Sequence, residues 1–370
     1  MHHFSRRARD ARPESGRLPQ GACPDLRRRR GGPADWDKSP DNVVMTDQGV
    51  TGRAEAHDSL ALSATTPLSG LRRVEQIMGT AISLDVRDAS VSPAALEEVF
   101  GYLRDVDGRF SPYKPDSEVS RLIRGELEET DASSDLRAIM SLCDQVRRTS
   151  EGYFDITAHR PDGRPDPTGM VKGWALENAS RMLEAAGARN YCINGGGDIV
   201  ARGNPAGSSV AVGGAWRVGI RHPFVADRLA AVLTIRDGAV ATSGAYERGE
   251  HIRDPLTGRA PEGLLSVTIV GPSLTLADAY ATAAFAMGSS GLAWVAALSG
   301  FAGCGVTTDQ DGSNARLVWT PGFERYFADG PTAQEGETAG RAHALAELPE
   351  EGPESQEGLI GDREQIPQQK

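Results

Sequence analysis

The chain has 370 residues, 40 Lys and Arg against 51 Asp and Glu, and a formal net charge of −11; 39% of its residues are hydrophobic and 25% charged. That balance excludes a collagen or a fully disordered chain, and no run approaches the ~18 uncharged apolar residues that a membrane-spanning helix needs. An acidic chain also lacks the basic face through which nucleic acid is held, so a bound phosphate calls for local cations or a metal.

Residues 1–70 are rich in Arg, Asp, Pro, Gly and Ser, with almost no periodic apolar pattern, and read as a disordered leader. Its arginines are not followed by an apolar stretch, so no secretory signal is read there and a cytoplasmic location is expected. The folded body is expected over residues 71–330. Strand-like runs lie at Ala81–Val86, Tyr191–Ala201, Trp216–Ile220, Ala230–Ile235 and Leu265–Val270. Helical patterns separate them. Pro93–Phe110 has Ser92 as N-cap, Pro93 at the first helical position and Leu96, Val99, Phe100 and Leu103 on one face. Leu136–Ser150, Gly173–Ala186 and Leu276–Met287 read likewise. This order predicts an α+β body rather than a doubly wound sheet. Residues 331–370, dense in Glu with Pro, Gly and Gln, read as a disordered acidic tail. The four cysteines, Cys23, Cys143, Cys192 and Cys304, have no metal-binding spacing and imply neither structural zinc nor a disulfide framework.

Three clusters can carry chemistry. Asp278 and Thr282 stand four apart in the helix that follows Gly271-Pro272-Ser273, so a carboxylate and a hydroxyl share one face. Two such oxygens suit a hard cation such as Mg²⁺; the same pair also arises when an Asp complements the helix dipole and a Thr back-bonds to a carbonyl. His251 stands at the mouth of the turn in Asp254-Pro255-Leu256-Thr257-Gly258, where an imidazole can take a proton from a hydroxyl or simply be hydrogen-bonded. Just upstream, Thr242-Ser243-Gly244-Ala245-Tyr246 at a strand end offers hydroxyls and bare amides of the kind that bind anions, as ordinary turns also do. Asp166 to Gly173 brings glycines and Lys172 to a helix start without the order of a P-loop, and Asn194 to Asp198 has adjacent glycines rather than a dinucleotide fingerprint.

In order and spelling these pieces resemble the ApbE family, the FAD:protein FMN transferases. The resemblance runs through Met78-Gly79-Thr80, Phe110 to Tyr113 with Ser117-Glu118, Gly152 to Thr157, Asp166 to Gly173 and Asn194 to Ile199. It continues through Trp216 with Gly219, Ser243-Gly244 with Tyr246, His251 to Gly258, and Asp278-Ala279 with Thr282. It covers the body and neither tail. It implies a mixed α/β two-lobed body and a Mg²⁺-dependent enzyme that moves FMN from FAD to a Thr or Ser hydroxyl of an acceptor flavoprotein, releasing AMP. By resemblance the metal is held by Asp278, Thr282, Ala281 and a main-chain oxygen of Gly169. FAD contacts fall at Met78, Tyr113, Tyr153, Phe154, Asp155, Asp166, Lys172 and Arg253, and His251 is the general base.

This chain departs from the family pattern in three places: a short connection from Ala158 to Pro165, Glu177 where Asp is common, and Arg253 where an apolar residue is usual. Two further readings fit the same residues: an FAD pyrophosphatase that yields FMN and AMP, and a protein that binds FAD without cleaving it. Acceptors of the family present a short Ser/Thr-rich stretch, whose core is matched by Ser63-Ala64-Thr65-Thr66 in the leader, so self-modification at Thr66 is an expectation to test. Oligomeric state is not legible.

Overall fold

The computed structural model describes residues 70–158, 160, 162–206, 214–225, 228–244, 252–308 and 315–328. The strands are β1 (Leu71–Ile77), β2 (Thr80–Val86), β3 (Tyr191–Gly195), β4 (Asp198–Arg202), β5 (Trp216–Arg221), β6 (Leu229–Ile235), β7 (Gly238–Gly244), β8 (Ser266–Gly271), β9 (Ala302–Thr308) and β10 (Ala315–Trp319). The α-helices are α1 (Pro93–Phe110), α2 (Glu118–Arg124), α3 (Ser134–Thr149), α4 (Thr168–Ala185), α5 (Leu274–Ala286) and α6 (Gly291–Ala296). Eight strands form one sheet in the order β1-β2-β3-β4-β7-β8-β9-β10, and β5 and β6 pair separately. Every pairing is antiparallel. The α+β expectation therefore holds.

Alternation along the strands sends side chains to two cores, one on each face of the sheet. Ile193 of β3 and Val200 of β4 join the core beneath the helices, which includes Phe100, Leu136 and Leu176. Their neighbours Cys192, Ile199 and Ala201 join a second core with Trp216, Val218 and Leu233 of the β5–β6 hairpin and Phe323. Because both faces are covered, the central strands read as continuous apolar runs rather than as alternation.

That explains one correction. The run Tyr191–Ala201 is not one strand but the hairpin β3–β4, turned by Gly196 and Gly197 at φ 59° and 91°. Asn194 Oδ1 accepts from the Gly197 amide at 2.9 Å, and a Cβ on Gly196 would lie 2.5 Å from Thr80 Oγ1. The adjacent glycines are thus needed for a left-handed turn packed against a neighbour. The other predicted strands agree with β2, β5, β6 and β8 to within a residue at each end, whereas β1, β9, β10, α2 and α6 were not among the predicted elements.

Helix α1 has the predicted bounds, with Ser92 Oγ accepting from Ala95 N at 3.3 Å. Helix α4 starts at Thr168, five residues ahead of the predicted Gly173. Glycines at 169 and 173 disguise its first turns as loop. There Asp166 Oδ1 accepts from Thr168 N at 3.1 Å and Thr168 Oγ1 at 2.7 Å, closing the turn that feeds the helix. Among the described residues, no helix is long and apolar enough to cross a membrane. Cys143, Cys192 and Cys304 are buried. The leader, including Ser63 to Thr66, and the acidic tail lie outside the described residues.

Candidate active site

A cleft of about 590 Å³ opens over the helical face of the sheet, a volume within the usual range for small-molecule sites. It collects Met78, Tyr113, Tyr153, Phe154, Asp155, Asp166, Gly169, Lys172, Arg253, Asp278 and Thr282 from segments far apart in sequence. Ala281 is fully buried in the core and does not line it. His251 lies outside the described residues; its neighbours Ile252 and Arg253 line the cleft. Arg160, which the sequence reading did not single out, also lines it, pairing with Asp162 at 2.7 Å. A charged residue in a short connection carries no pattern of its own, so only the tertiary fold identifies it.

The floor is the contact of α4 with α5. Gly173 faces α5: a Cβ there would meet Asp278 Cβ and the Leu274 carbonyl oxygen, each at 3.0 Å. Its amide donates to Asp278 Oδ2 at 3.2 Å. In a regular helix that amide points at the carbonyl four residues back, which is Gly169. A carbonyl oxygen has two lone pairs, so one such bond leaves the Gly169 oxygen capacity for another partner. Thr282 Oγ1 donates to the Asp278 carbonyl at 3.2 Å, so the back-bond allowed by the sequence is present. With its proton so committed, the hydroxyl oxygen presents lone pairs, and Ser243 Oγ stands 3.5 Å away.

Lys172 reaches over this floor. Its ammonium pairs with Asp198 Oδ2, whose side chain is 1% exposed, and stands 3.8 Å from Asp278 Oδ2. Asp198 Oδ1 accepts from Thr242 N at 3.3 Å. The triple-glycine turn therefore delivers a buried carboxylate that tethers the site's lysine, a role that the sequence reading of Asn194 to Asp198 missed. Its signal was an Asp immediately after glycines in an otherwise apolar run.

The walls are set by local turns. Asp155 Oδ1 accepts from Thr157 N at 2.8 Å and Thr157 Oγ1 at 2.7 Å, and Oδ2 from Arg147 at 3.0 Å. Burial opposes its ionisation, but those donors outweigh burial and its pKa lies below the usual carboxylate value. Phe154 is buried, its amide donating to Ser150 Oγ at 3.0 Å. Tyr113, at 92% exposed, is a rim residue. Met78 and Gly79 form the β1–β2 turn at φ 54° and 74°. Met78 is thus a non-glycine residue in the left-handed region at the cleft edge, a conformation that costs of order 1–2 kcal/mol. Asp254 fixes the 254–258 turn by accepting from Leu256 N at 2.8 Å and Thr257 Oγ1 at 2.7 Å, while Arg253 donates to the Gly258 carbonyl at 3.2 Å.

Asp278 and Thr282 bring a carboxylate and a hydroxyl to the cleft, and Gly169 lines it beside them; these are hard oxygens, which fit Mg²⁺ rather than zinc. Among the described residues, no three or more His, Cys, Asp or Glu converge as a side-chain cage.

The family model described as the ApbE family matches residues 78–162 and 158–304. The FAD:protein FMN transferase of Haemophilus influenzae is 24% identical over 277 residues, spanning 57% of this chain and 79% of that protein. That of Vibrio cholerae serotype O1 is 27% identical over 248 residues, spanning 52% and 72%. The solved structure of the flavin transferase ApbE from Vibrio cholerae superposes with a TM-score of 0.61 at 22% identity, over 70% of this chain and 100% of that one. With the matched segments running from the β1–β2 turn into β9 and enclosing the whole cleft, the chain belongs to the ApbE family.

Proposed function

We propose that this chain is a Mg²⁺-dependent FAD:protein FMN transferase. A Thr or Ser hydroxyl of an acceptor flavoprotein attacks the FMN-side phosphorus of FAD. A new P–O bond forms, the bond from that phosphorus to the bridging oxygen breaks, and AMP departs with the bridging oxygen. The hydroxyl proton passes to a base, the role assigned to His251. What supports the reading is that Gly169, Lys172, Asp278 and Thr282 line one cleft sized for a small-molecule ligand, with the Lys172 ammonium 3.8 Å from Asp278 Oδ2.

Asp278, Thr282 and the Gly169 carbonyl would hold the metal, with Ala281 contributing at most through its main chain. When bound, a divalent cation supplies Lewis-acid stabilisation of charge on the diphosphate. Lys172, held by Asp198, adds a fixed positive charge beside the phosphates. Met78, Tyr113, Tyr153, Phe154, Asp155, Asp166 and Arg253 form the flavin-binding walls and rim.

The test is to incubate the protein with FAD, Mg²⁺ and an acceptor bearing a Ser/Thr-rich flavinylation stretch, and to read intact mass and released AMP. Acceptor gaining the mass of FMN with equimolar AMP is the expected result; free FMN and AMP would mean the pyrophosphatase instead. Uncleaved FAD after prolonged incubation would leave a binding protein. Asp278→Asn is expected to lose at least about 100-fold in rate, and transfer at the wild-type rate by that variant would refute the metal assignment.

A further inference from the structure

Glu177 stands two turns along α4 from Gly169, on the stripe Gly169, Gly173, Glu177 that a four-residue step keeps on one face. Its Oε2 accepts from Ser273 Oγ at 2.7 Å, Thr275 N at 2.8 Å and Thr275 Oγ1 at 2.6 Å. Its Oε1 accepts from Arg181 at 3.0 Å. Ser273 is itself the N-cap of α5, its Oγ accepting from Leu276 N at 3.3 Å. Thr275 N is one of the amides that a helix start leaves without an intrahelical acceptor. A carboxylate from one helix therefore caps the next, and its charge complements the positive end of α5.

One turn nearer the site, Gly173 lets Asp278 and the Leu274 carbonyl approach so closely that a Cβ there would be crowded at 3.0 Å by both. The polar clamp at 177 and the bare contact at 173 together set the separation and the axial register of α5 against α4. Register matters at the floor because its oxygens come from both helices: the Gly169 carbonyl from α4, Asp278 and Thr282 from α5. A slip of one residue would move the α5 oxygens about 1.5 Å along the axis, whereas metal–ligand distances tolerate about 0.2 Å.

We propose that Glu177 is a positioning residue: by holding the N-terminus of α5 against α4, it sets the spacing of the Asp278 and Thr282 oxygens from the Gly169 carbonyl, and through it the affinity for a divalent cation. The proposal rests on the metal reading of the floor. Glu177 touches none of those oxygens and acts through helix placement.

The experiment titrates Mn²⁺ alone into full-length wild-type protein and the E177A, E177Q, T275V and D278N variants, following free Mn²⁺ by electron paramagnetic resonance well below the lowest melting temperature. E177A is expected to weaken Mn²⁺ binding about tenfold. E177Q, whose amide oxygen still accepts from Thr275, is expected to lose less, and T275V, which removes one donor from the other side of the clamp, a few-fold. D278N is expected to lose saturable binding. A merely structural role would lower the melting temperature and leave the affinity of the folded protein unchanged. That outcome in E177A and T275V, with D278N still defective, overturns the positioning role and leaves the metal reading standing. Should E177A not fold, T275V decides alone. Wild-type affinity in D278N overturns the metal reading, and this proposal with it.

Discussion

Replacing Lys172 by Met leaves the Asp198 carboxylate, at 1% exposed, with the Thr242 amide at 3.3 Å and without its ammonium partner. Removing one member of a buried pair typically costs about 3–5 kcal/mol, because the remaining charge is uncompensated. Lys172 is itself 27% exposed, so water reaches the gap and a lower figure of about 2–3 kcal/mol is appropriate. For a body of this size that corresponds to a fall in Tm of about 5–10 °C. The informative measurement is a double-mutant cycle by calorimetry with Lys172→Met, Asp198→Asn and both. Because the neutral amide still accepts from Thr242 N, the double variant should recover most of the loss. A Lys172→Met protein that melts with the wild type, or a double variant no more stable than the single, would refute the account of Asp198 as a charge held in place by Lys172.

Other perturbations probe the rest of the architecture. Gly173→Ala gains about 1 kcal/mol in helix propensity but pushes a Cβ to 3.0 Å from Asp278 Cβ and the Leu274 carbonyl oxygen; overpacking costs about 1–3 kcal/mol. Calorimetry should thus find a net loss of up to about 2 kcal/mol, and a variant more stable than wild type would show that the α4–α5 contact can relax. Met78→Asn places a residue tolerant of positive φ before Gly79, the favoured order for this hairpin turn. It should raise stability by about 1 kcal/mol while weakening FAD affinity in a fluorescence titration; unchanged affinity would remove Met78 from the flavin contacts. Burial opposes ionisation of Glu177, but its Thr275 and Ser273 donors and Arg181 outweigh burial, so its folded pKa lies below 4.5. Asp155 is likewise held below 3.8. Depressed carboxylates stabilise the fold above their unfolded values and lose that contribution as pH falls through the folded ones. The Tm should therefore be insensitive to these groups near neutrality and fall below about pH 4.5, with a shallower fall in Glu177→Gln; an identical acid profile in that variant would contradict the assignment.

Local rules were enough for the elements whose signals are local. Ser92 and Pro93 mark the start of α1, and the apolar stripe through Leu96, Phe100 and Leu103 carries it to Phe110. The i, i+4 spacing of Asp278 and Thr282 put both residues on one face, and both line the cleft. The resemblance in motif order pointed to residues that line the cleft, among them Tyr153, Asp166 and Lys172, although Ala281 does not line it and His251 lies outside the described residues. What needed the tertiary structure was every relation between segments. A strand covered on both faces and a turn made of glycines look alike in a linear reading, so β3–β4 became visible as a hairpin only through its pairing. Gly173 is neutral in sequence and acquires meaning because a Cβ there would lie only 3.0 Å from atoms of α5. Asp198 and Glu177 gain their roles from partners at positions 172 and 273–275. Propensity and periodicity act over a turn or a strand, whereas the electrostatics of the site depend on which charges the fold buries together, and that is decided by packing over sequence separations of 26 and about 100 residues.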